Sequence, residues 1–409
     1  MDRRVAVVGA GYAGMAAAVT LAERGIPVTV FESGPVPGGR ARRVLSQGTE
    51  LDNGQHVLIG AYTELYRLMR RVGVPQDALL RLPLEVRYAK DFSFRAFRFP
   101  APFGLLAGLL AARGVPFPER IGAVRFMRAL QKVAFRLERD ISFNQLLEAH
   151  RQGGAIGHYL WRPLCVSALN TPAAEASANV FLAVLRDTLA GEREASDLLL
   201  PRVDLSRLFP EPAAEFVKSR GGEIRLRSPV ENMDELKKQF SSVIVAVGPH
   251  QLKTLLPDAA RDYSYQPIYT CYLQYPEEVK LGFPMIGLAD GLVQWVFDRG
   301  ALIGEKGRLA CVISAQGDHQ QMSLDEVAER CRQELKMAFD LPPPQWSRVI
   351  AEKRATISCS VGLKRPSIET AIPGVFLAGD YTDPEYPPTL EAAVRSGVRA
   401  AELVYHRTP

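Results

Sequence analysis

Three glycines near the start of the chain have a spacing that suits phosphate binding. Gly9, Gly11 and Gly14 form a G-x-G-x-x-G pattern directly after an apolar run. The first glycine of such a pattern makes a tight turn, the second lets a pyrophosphate approach the backbone, and the third lets the following helix pack closely on the strand. Glu32 comes eighteen residues after Gly14, at a place where a carboxylate accepts hydrogen bonds from a ribose. These residues predict a dinucleotide site, and the acid disfavours a 2′-phosphate by charge repulsion.

A second glycine-rich element distinguishes between the two common kinds of dinucleotide. Gly38, Gly39 and Arg40 follow Glu32 after a short loop, and folds that bind a nicotinamide dinucleotide have no need of this element. It resembles the second phosphate-side signature of the FAD-dependent amine oxidase and carotenoid desaturase superfamily. The resemblance implies that Arg40 balances the charge of FAD and that the two glycines admit the cofactor closely.

The other end of the chain carries matching elements of the same superfamily. An apolar run ends at Gly379 and Asp380, and Leu390 lies at the start of the last predicted helix. The resemblance implies that Gly379 and Asp380 hold the ribityl and pyrophosphate region, that the helix start faces the flavin ring, and that the backbone at Val230 contacts adenine. The FAD-binding residues implied in this way are Gly9, Gly11, Ala13, Gly14, Glu32, Gly39, Arg40, Gly54, Gln55, His56, Val230, Gly379, Asp380 and Leu390.

Further segments narrow the resemblance to one branch of the superfamily. The sequences LDNGQH at 51–56, LNTP at 169–172 and QWVFDR at 294–299 resemble the squalene-associated branch, the hydroxysqualene dehydroxylases of hopanoid gene clusters. The resemblance implies FAD-dependent reduction of hydroxysqualene to squalene, with a long apolar isoprenoid as the substrate. Two alternatives stay open. One is an oxidative flavoenzyme, either a polyene desaturase of the carotenoid or phytoene type or an amine oxidase, and the other is a non-catalytic prenyl-binding protein of related fold.

Loss of an allylic hydroxyl as water needs a general acid and a hydride, and two residues are candidates for the acid. His56 lies in a glycine turn expected near the flavin, although it can instead bond a backbone carbonyl or a cofactor atom without titrating. Glu391 lies in the first turn of the flavin-facing helix, where a charge–dipole or capping role is the alternative. We therefore predict His56 and Glu391 as the catalytic residues.

Other residues of these segments have simpler explanations. Asp52 is expected to shape its own turn, and Asp298 and Arg299 are expected to form an ion pair after a hairpin strand. Tyr269 and Trp295 lie on aromatic-rich strands, which suit either the packing of a core or a long apolar tunnel. In a tunnel their ring faces would stabilise an allylic cation.

The spacing of apolar runs predicts the elements that position these residues. Runs at 4–8 and 26–31 predict strands on either side of a helix at 13–24, which is the opening β-α-β unit of a doubly wound sheet. We expect an α/β protein with a Rossmann-like FAD-binding domain built from discontinuous segments, an inserted α+β substrate domain and a helical subdomain. The predicted limits are 1–85, 200–255 and 350–409 for the FAD-binding domain, and 86–199 and 256–349 for the substrate-binding, membrane-facing part.

Composition places the chain among ordinary globular proteins. Hydrophobic residues make up 47% of its 409 residues and charged ones 23%, which excludes collagen, a disordered tail and a polytopic membrane protein. The five cysteines include no C-x-x-C pair, so we expect buried thiols in a reducing cytoplasm rather than disulfides or a metal site. The uncharged run at 5–22 resembles a signal peptide or a membrane span in length only, because its spaced glycines fit a strand followed by a helix.

Basic residues are concentrated in one part of the chain. Between residues 87 and 139, eleven Lys and Arg stand against three acids. We expect peripheral association with the inner face of the cytoplasmic membrane, with plain solvation as the alternative. A helix predicted at 118–139 would align the basic residues Arg125, Arg128, Lys132, Arg136 and Arg139.

No nucleic-acid partner is expected, since no recognition motif accompanies the basic stripe. The chain has no second dinucleotide fingerprint, so we expect an electron donor of unknown kind to reduce the flavin.

Overall fold

A parallel sheet and an antiparallel sheet, each of five strands, organise the fold of the computed structural model, which describes residues 4–90, 92–100, 102–189 and 192–407. The strands of these two sheets and of three smaller ones are β1 (Val5–Val8), β2 (Val28–Phe31), β3 (Arg43–Ser46), β4 (Thr49–Asp52), β5 (Leu58–Ile59), β6 (Leu79–Leu82), β7 (Glu85–Arg87), β8 (Ser93–Arg95), β9 (Leu198–Pro201), β10 (Glu223–Arg225), β11 (Ser242–Val245), β12 (Tyr265–Gln274), β13 (Met285–Gly287), β14 (Trp295–Asp298), β15 (Arg308–Ser314), β16 (Trp346–Ile357) and β17 (Val375–Leu377). The α-helices are α1 (Tyr12–Glu23), α2 (Thr63–Arg71), α3 (Phe103–Ala111), α4 (Phe117–Lys132), α5 (Phe143–Ala149), α6 (Arg162–Leu169), α7 (Ala178–Leu189), α8 (Leu205–Leu208), α9 (Pro210–Ser219), α10 (Met233–Gln239), α11 (Leu252–Leu255), α12 (Arg299–Ile303), α13 (Leu324–Phe339) and α14 (Leu390–Arg407).

The parallel sheet has the strand order β10-β2-β1-β11-β17, so all its neighbouring strands except β1 and β2 come from distant parts of the chain. Successive side chains of a strand point to opposite faces, and β1 buries both sets. Val5 and Val7 pack in a core that contains residues of α1 and α14, whereas Ala6 and Val8 pack in a second core with residues of α10 and α11. Helices therefore cover both faces, and the predicted doubly wound domain built from discontinuous segments is confirmed.

Helices α1 and α14, from the two ends of the chain, pack against each other unusually closely. A Cβ atom on Gly397 of α14 would lie 2.1 Å from the carbonyl oxygen of Ala13 in α1, so only glycine allows this approach. The contact fixes the start of the last helix relative to the first glycine motif. The two ends of the sequence are thereby brought to one site.

The antiparallel sheet has the order β13-β14-β15-β12-β16. On β12, Tyr272 faces the core of the helical region, while Cys271 faces a core covered by α13. Strand β16 pairs with β12 from Trp346 to Ile357. The predicted domain limit at 350 falls inside β16, all of which belongs to this sheet; the other predicted limits stay a prediction.

Helices α3 to α7 form most of the core beside the antiparallel sheet. Helix α4 ends at Lys132, because Ala134 and Phe135 adopt left-handed φ angles of 49° and 54°. The prediction of a helix continuing to 139 is therefore wrong, and Arg136 and Arg139 do not extend the basic stripe of α4. None of the described helices is both long enough and apolar enough to cross a membrane.

All five cysteines are buried and have free thiols. The expectation that they are buried apolar residues is confirmed.

Candidate cofactor and substrate site

A cavity of about 550 Å³ lies where the carboxyl ends of the parallel strands meet the antiparallel sheet. In doubly wound folds this edge is the usual place for a ligand. The cavity is lined on one side by Gly9, Ala246 and Gly379, which follow the parallel strands, and on another by Ile268, Trp295 and Val312 of the antiparallel sheet. Its lining includes the predicted FAD-binding residues Gly9, Gly11, Ala13, Glu32, Gly39, Arg40, Gly54, Gln55, His56, Gly379, Asp380 and Leu390.

The glycine motif forms a cradle that fits a pyrophosphate. Gly9 has a φ of +102°, and a Cβ atom there would lie 2.7 Å from the carbonyl oxygen of Ala246. A Cβ atom on Gly11, in contrast, would meet only the Cα of Gly39, at 3.9 Å, and would occupy space in the cavity. Helix α1 begins at Tyr12 beside this space, so the positive end of its dipole faces the place where phosphates would lie.

Gly14 and Val230 do not line the cavity. A Cβ atom on Gly14 would lie 1.9 Å from the carbonyl oxygen of Gly9, so this glycine lets α1 pack on the turn, as the third glycine of the motif is expected to do. Val230 lies in the segment after β10 and packs against the core that contains Phe240. Strand β10 ends at Arg225, so Val230 lies five residues beyond the end of the strand.

Glu32 is held in a fixed orientation at the end of β2. Its two carboxylate oxygens accept hydrogen bonds from the backbone N–H groups of Ala10, at 2.8 Å, and Gly34, at 2.7 Å. Each carboxylate oxygen has a second lone pair, so the group still has acceptor positions for ribose hydroxyls. This placement beside the glycine turn fits the predicted contact to ribose.

Arg40 connects the two predicted halves of the site. Its guanidinium donates to Asp380 Oδ1 at 2.7 Å and to the carbonyl oxygen of Ala355 at 2.8 Å. Both Arg40 and Asp380 line the cavity. The positive charge is therefore available to a diphosphate while its position is set by the last parallel strand.

His56 lines the cavity, and its Nδ1 lies 3.2 Å from the carbonyl oxygen of Gly54. Because a carbonyl oxygen only accepts, this geometry places the proton on Nδ1 and leaves Nε2 as the remaining ring nitrogen. Desolvation lowers the pKa of His56, the hydrogen bond to Gly54 opposes this effect, and the charge of Arg40 adds to it. The imidazole is thus mainly neutral at pH 7.

Glu391, the second predicted catalytic residue, does not line the cavity, although its neighbour Leu390 does. It is fully buried, and its carboxylate accepts from the N–H groups of Glu64, at 3.0 Å, and Leu65, at 2.9 Å. The Nε of Arg395 donates to the same group at 2.8 Å. Glu391 therefore caps the first turn of α2 and pairs with Arg395, which favours the capping alternative over proton donation.

A buried network around Arg299 differs from the sequence expectation. Arg299 does not pair with Asp298, which instead accepts from the N–H groups of Leu281 and Ala301. Its Nη1 donates to Asp52 Oδ2 at 3.2 Å and to Gln55 Oε1 at 3.1 Å, and its Nε donates to Glu305.

Asp52 is correspondingly more than a residue that shapes its own turn. Its other oxygen accepts from the N–H of Leu205, 153 positions away, and its carbonyl accepts from the hydroxyl of Tyr272. Burial by itself would lower the pKa of Arg299. The interactions with Tyr272, Glu305 and Asp52 raise it by more, so the pKa of Arg299 lies above its ordinary value. Sequence reasoning placed the turn at 51–56 near the flavin but did not predict that Asp52 meets Arg299.

The far end of the cavity is mainly apolar. Trp295 lines it, and its Nε1 donates to Ser167 Oγ at 3.0 Å, which fixes the ring. Tyr269, the other aromatic candidate, packs on His319 in the core beneath α13, on the other face of the antiparallel sheet, so for Tyr269 the core-packing alternative is confirmed. Apolar side chains on this end of the cavity are Leu84, Val86, Leu164, Ile268, Met285 and Phe297.

The sequence matches the family described as flavin containing amine oxidoreductase over residues 12–405. The chain belongs to this family. FAD is its cofactor, and the protein is an FAD-dependent oxidoreductase, in agreement with a glycine cradle, a ribose acceptor and a paired arginine on one cavity.

Two relatives and one solved structure illustrate the similarity of the chain to individual proteins. The chain is 27% identical to hydroxysqualene dehydroxylase of Zymomonas mobilis over 428 aligned positions, which cover 97% of this chain and 98% of the relative. It is 25% identical to a probable zeta-carotene desaturase of Synechococcus elongatus over 486 positions, which cover 98% of each protein. The crystal structure of a putative protoporphyrinogen oxidase from Exiguobacterium superposes with a TM-score of 0.72 at 17% identity, covering 100% of both chains.

Proposed function

We propose that this protein catalyses the FAD-dependent reduction of hydroxysqualene to squalene, as a step of squalene and hopanoid biosynthesis. The observation that supports this proposal most strongly is the end-to-end similarity to a hydroxysqualene dehydroxylase. The alignment to that relative needs 428 positions for a chain of 409 residues, whereas the alignment to the carotene desaturase needs 486. The dehydroxylase alignment thus needs fewer insertions.

The shape of the cavity supports an isoprenoid substrate. One end is lined by the residues that fit FAD, and the other end by apolar side chains such as Leu84, Met285 and Phe297. A long hydrocarbon gains free energy by burial in such a lining. We propose that the chain places the carbon that carries the hydroxyl beside the flavin and keeps the rest of the substrate in the apolar end.

The residues around the cavity support a stepwise mechanism. FAD, when reduced and bound, supplies the hydride. The hydroxyl leaves as water after protonation, and the resulting allylic cation is spread over three carbons. We propose His56 as the residue that moves the proton, since its Nε2 is the ring nitrogen left over by the Gly54 bond. The ring of Trp295 supplies an aromatic face for the cation, and the apolar lining excludes water that would otherwise capture it.

We propose a set of cofactor contacts from the family resemblance, and the lining of the cavity supports it. The cradle of Gly9, Gly11 and Gly39 takes the pyrophosphate, Glu32 the ribose, and Arg40 balances the diphosphate charge. Gly379, Asp380 and Leu390 take the ribityl and ring region, with Ala13, Gly54 and Gln55 lining the same space. Gly14 acts by allowing close helix packing, and the backbone contact of Val230 to adenine stays a proposal from family resemblance.

An anaerobic single-turnover experiment tests the proposed reaction. Chemically reduced holoenzyme is mixed with hydroxysqualene, and flavin absorbance and hydrocarbon products are followed together. We expect flavin reoxidation with one squalene formed for each flavin oxidised. Reoxidation without squalene would exclude the dehydroxylase. Reduction of the oxidised flavin by a polyene or by an amine would instead identify the desaturase or the amine oxidase.

We also propose that the protein binds the inner face of the cytoplasmic membrane through residues 97–132. Large apolar side chains are exposed there, with Phe97 at 46%, Phe103 at 64% and Phe117 at 60% of their maximum. Exposed basic residues of the same region are Arg98, Arg113, Arg125, Arg128 and Lys132. Exposed phenylalanines together with cations are typical of surfaces that bind anionic lipid, and such a location would bring the enzyme to its insoluble substrate.

A further inference from the structure

Gln55 occupies a boundary between the cavity and the buried network of Arg299. Gln55 is partly exposed and lines the cavity, whereas Arg299 is only 3% exposed and does not line it. The two side chains touch through Arg299 Nη1 and Gln55 Oε1, at 3.1 Å. Arg299 therefore does not touch a molecule in the cavity directly, and Gln55 is a neighbour through which it can act on one.

The contact determines which way the Gln55 amide faces. A guanidinium has five N–H donors and no acceptor, so only the carbonyl oxygen of the amide fits against Arg299. The amide NH₂ group then lies on the side away from Arg299, and the side chain that carries it lines the cavity. Within the described part of the chain, no hydrogen bond of Gln55 Nε2 to a protein acceptor is found, so this donor is available to a ligand.

Arg299 is itself held rigidly. Its Nε donates to Glu305 at 2.6 Å, its Nη1 donates to Asp52 as well as to Gln55, and its guanidinium lies 5.4 Å from the ring centre of Tyr272. Asp52 is anchored in turn by the N–H of Leu205. A side chain fixed by this many partners orients Gln55 at little entropic cost.

We propose that Arg299 is a positioning residue that holds Gln55 with its NH₂ group facing the cavity, where the group donates a hydrogen bond to an uncharged acceptor of the bound molecules. Two sources supply such an acceptor: a carbonyl or ring nitrogen of the flavin, and the hydroxyl oxygen of the substrate. The second source rests on the proposed dehydroxylase function, and the first does not.

Substitutions at Gln55 test the donor. Gln55→Ala removes it, and Gln55→Glu keeps a partner for Arg299 but presents an acceptor to the cavity at neutral pH. In the flavin arm, the FAD dissociation constant and the absorption spectrum of the holoenzyme are measured. In the substrate arm, the ratio of dissociation constants for squalene and hydroxysqualene is measured on the oxidised holoenzyme, which does not turn over.

We expect both Gln55 variants to change one of these readouts, by about fivefold in a dissociation constant, the size typical of one lost hydrogen bond. The matched control is Gln345→Glu, the same chemical change at an exposed position before β16, which should change neither. The proposal is overturned if neither readout moves, or if Gln55→Glu behaves like the wild type.

Arg299→Lys tests the positioning role, because lysine keeps the positive charge but has a single nitrogen. We expect it to change the same readout in the wild-type background and to have no additional effect in the Gln55→Ala background. Equal effects in both backgrounds would show that Arg299 does not act through Gln55. If Arg299→Lys does not fold, the Gln55→Glu comparison still decides the donor role. If the wild-type protein forms no squalene, the proposed function fails, and the flavin arm alone decides this inference.

Discussion

Arg40 Nη2 lies 2.7 Å from Asp380 Oδ1, and this ion pair joins two residues that are 340 positions apart in the sequence. Asp380 is 6% exposed, whereas Arg40 is open to the cavity. The carboxylate is buried at the end of the last parallel strand, so it sets the position of a cation that follows the first two strands. The cofactor site is therefore complete only when both ends of the chain have folded together.

The first prediction concerns this ion pair. We expect Arg40→Ala to weaken FAD binding roughly 10- to 100-fold, because hydrogen bonds to charged groups contribute about 1.5–3 kcal/mol. Asp380→Asn should weaken binding less, since it keeps the shape of the partner. Flavin fluorescence during titration of the apoprotein measures both. The matched control is Arg24→Ala, which removes an exposed ion pair with Glu402 on the far side of the domain and should leave affinity unchanged.

Glu32 is the subject of the second prediction. Glu32→Ala removes the acceptor of two backbone N–H groups and of the ribose, so we expect FAD affinity to fall about tenfold or more. Glu32→Gln keeps one acceptor oxygen, but its NH₂ group faces the N–H of either Ala10 or Gly34, which is also a donor. We therefore expect its FAD affinity to lie between those of the alanine variant and the wild type. Equal flavin retention in all three proteins would contradict the assignment.

The third prediction separates stability from chemistry at Glu391. Glu391→Gln removes the charge that caps α2 and pairs with Arg395, so we expect the free energy of unfolding to fall by about 1–3 kcal/mol. Turnover per bound flavin should stay close to that of the wild type, because the side chain does not line the cavity. Thermal unfolding and single-turnover assays measure the two effects. Glu402→Gln, on the same helix but with a side chain that is 45% exposed, should change neither.

The motifs with fixed spacing were the most predictable part of the site. Glycines at 9, 11 and 39 and the acid at 32 carry their function in local backbone geometry, and the structure places all of them on one cavity. Glu391 was harder, because its position in the first turn of a helix is compatible with facing either the flavin or another helix. Its partners at 64 and 65 lie 327 and 326 positions away, and no local pattern indicates that contact.

The same reason explains why the ion pair between Asp298 and Arg299 was predicted wrongly and why two alternatives stayed open for Tyr269. Adjacent charges at 298 and 299 suggest a pair, but neighbouring residues at the end of a strand point in different directions, and each meets a distant segment instead. On β12, the alternation of side chains along a strand predicts which residues share a face with Tyr269, but not which face of the sheet borders the cavity. Helix α13 covers the face of Tyr269, so the cavity lies on the other face.

The fourth prediction addresses the membrane surface. Replacing Arg125, Arg128 and Lys132 on α4 by glutamate should reduce binding to vesicles of phosphatidylglycerol at least about 100-fold, because each basic residue near an anionic surface contributes about 1 kcal/mol. Phe103→Ser should weaken binding to a smaller, salt-insensitive extent. Cosedimentation at low and high salt measures both effects.

A matched control reverses charges elsewhere on the surface. Lys218, Lys237 and Lys238 are exposed on α9 and α10, so changing them to glutamate alters the net charge equally but not the proposed surface. If this control loses binding as strongly as the α4 variant, general charge and not the region 97–132 is responsible. Vesicle binding by the wild-type protein that does not depend on the salt concentration would also contradict the proposal.

The last prediction concerns His56 and pH. Desolvation places the pKa of His56 below its ordinary value of 6.5, so the protonated, proton-donating form is a minor species at pH 7 and becomes more populated as the pH falls. If His56 delivers the proton to the leaving hydroxyl, the rate of squalene formation at saturating substrate should therefore rise with decreasing pH and level off below that pKa.

His56→Gln should lower the rate by about 10²–10⁴-fold while FAD stays bound, and the rate that remains should no longer rise as the pH falls. His406→Gln, at an exposed position near the end of α14, should keep both the rate and the profile. A His56→Gln variant that retains the wild-type pH profile would assign the proton to another group and leave His56 with its hydrogen bond to Gly54 alone.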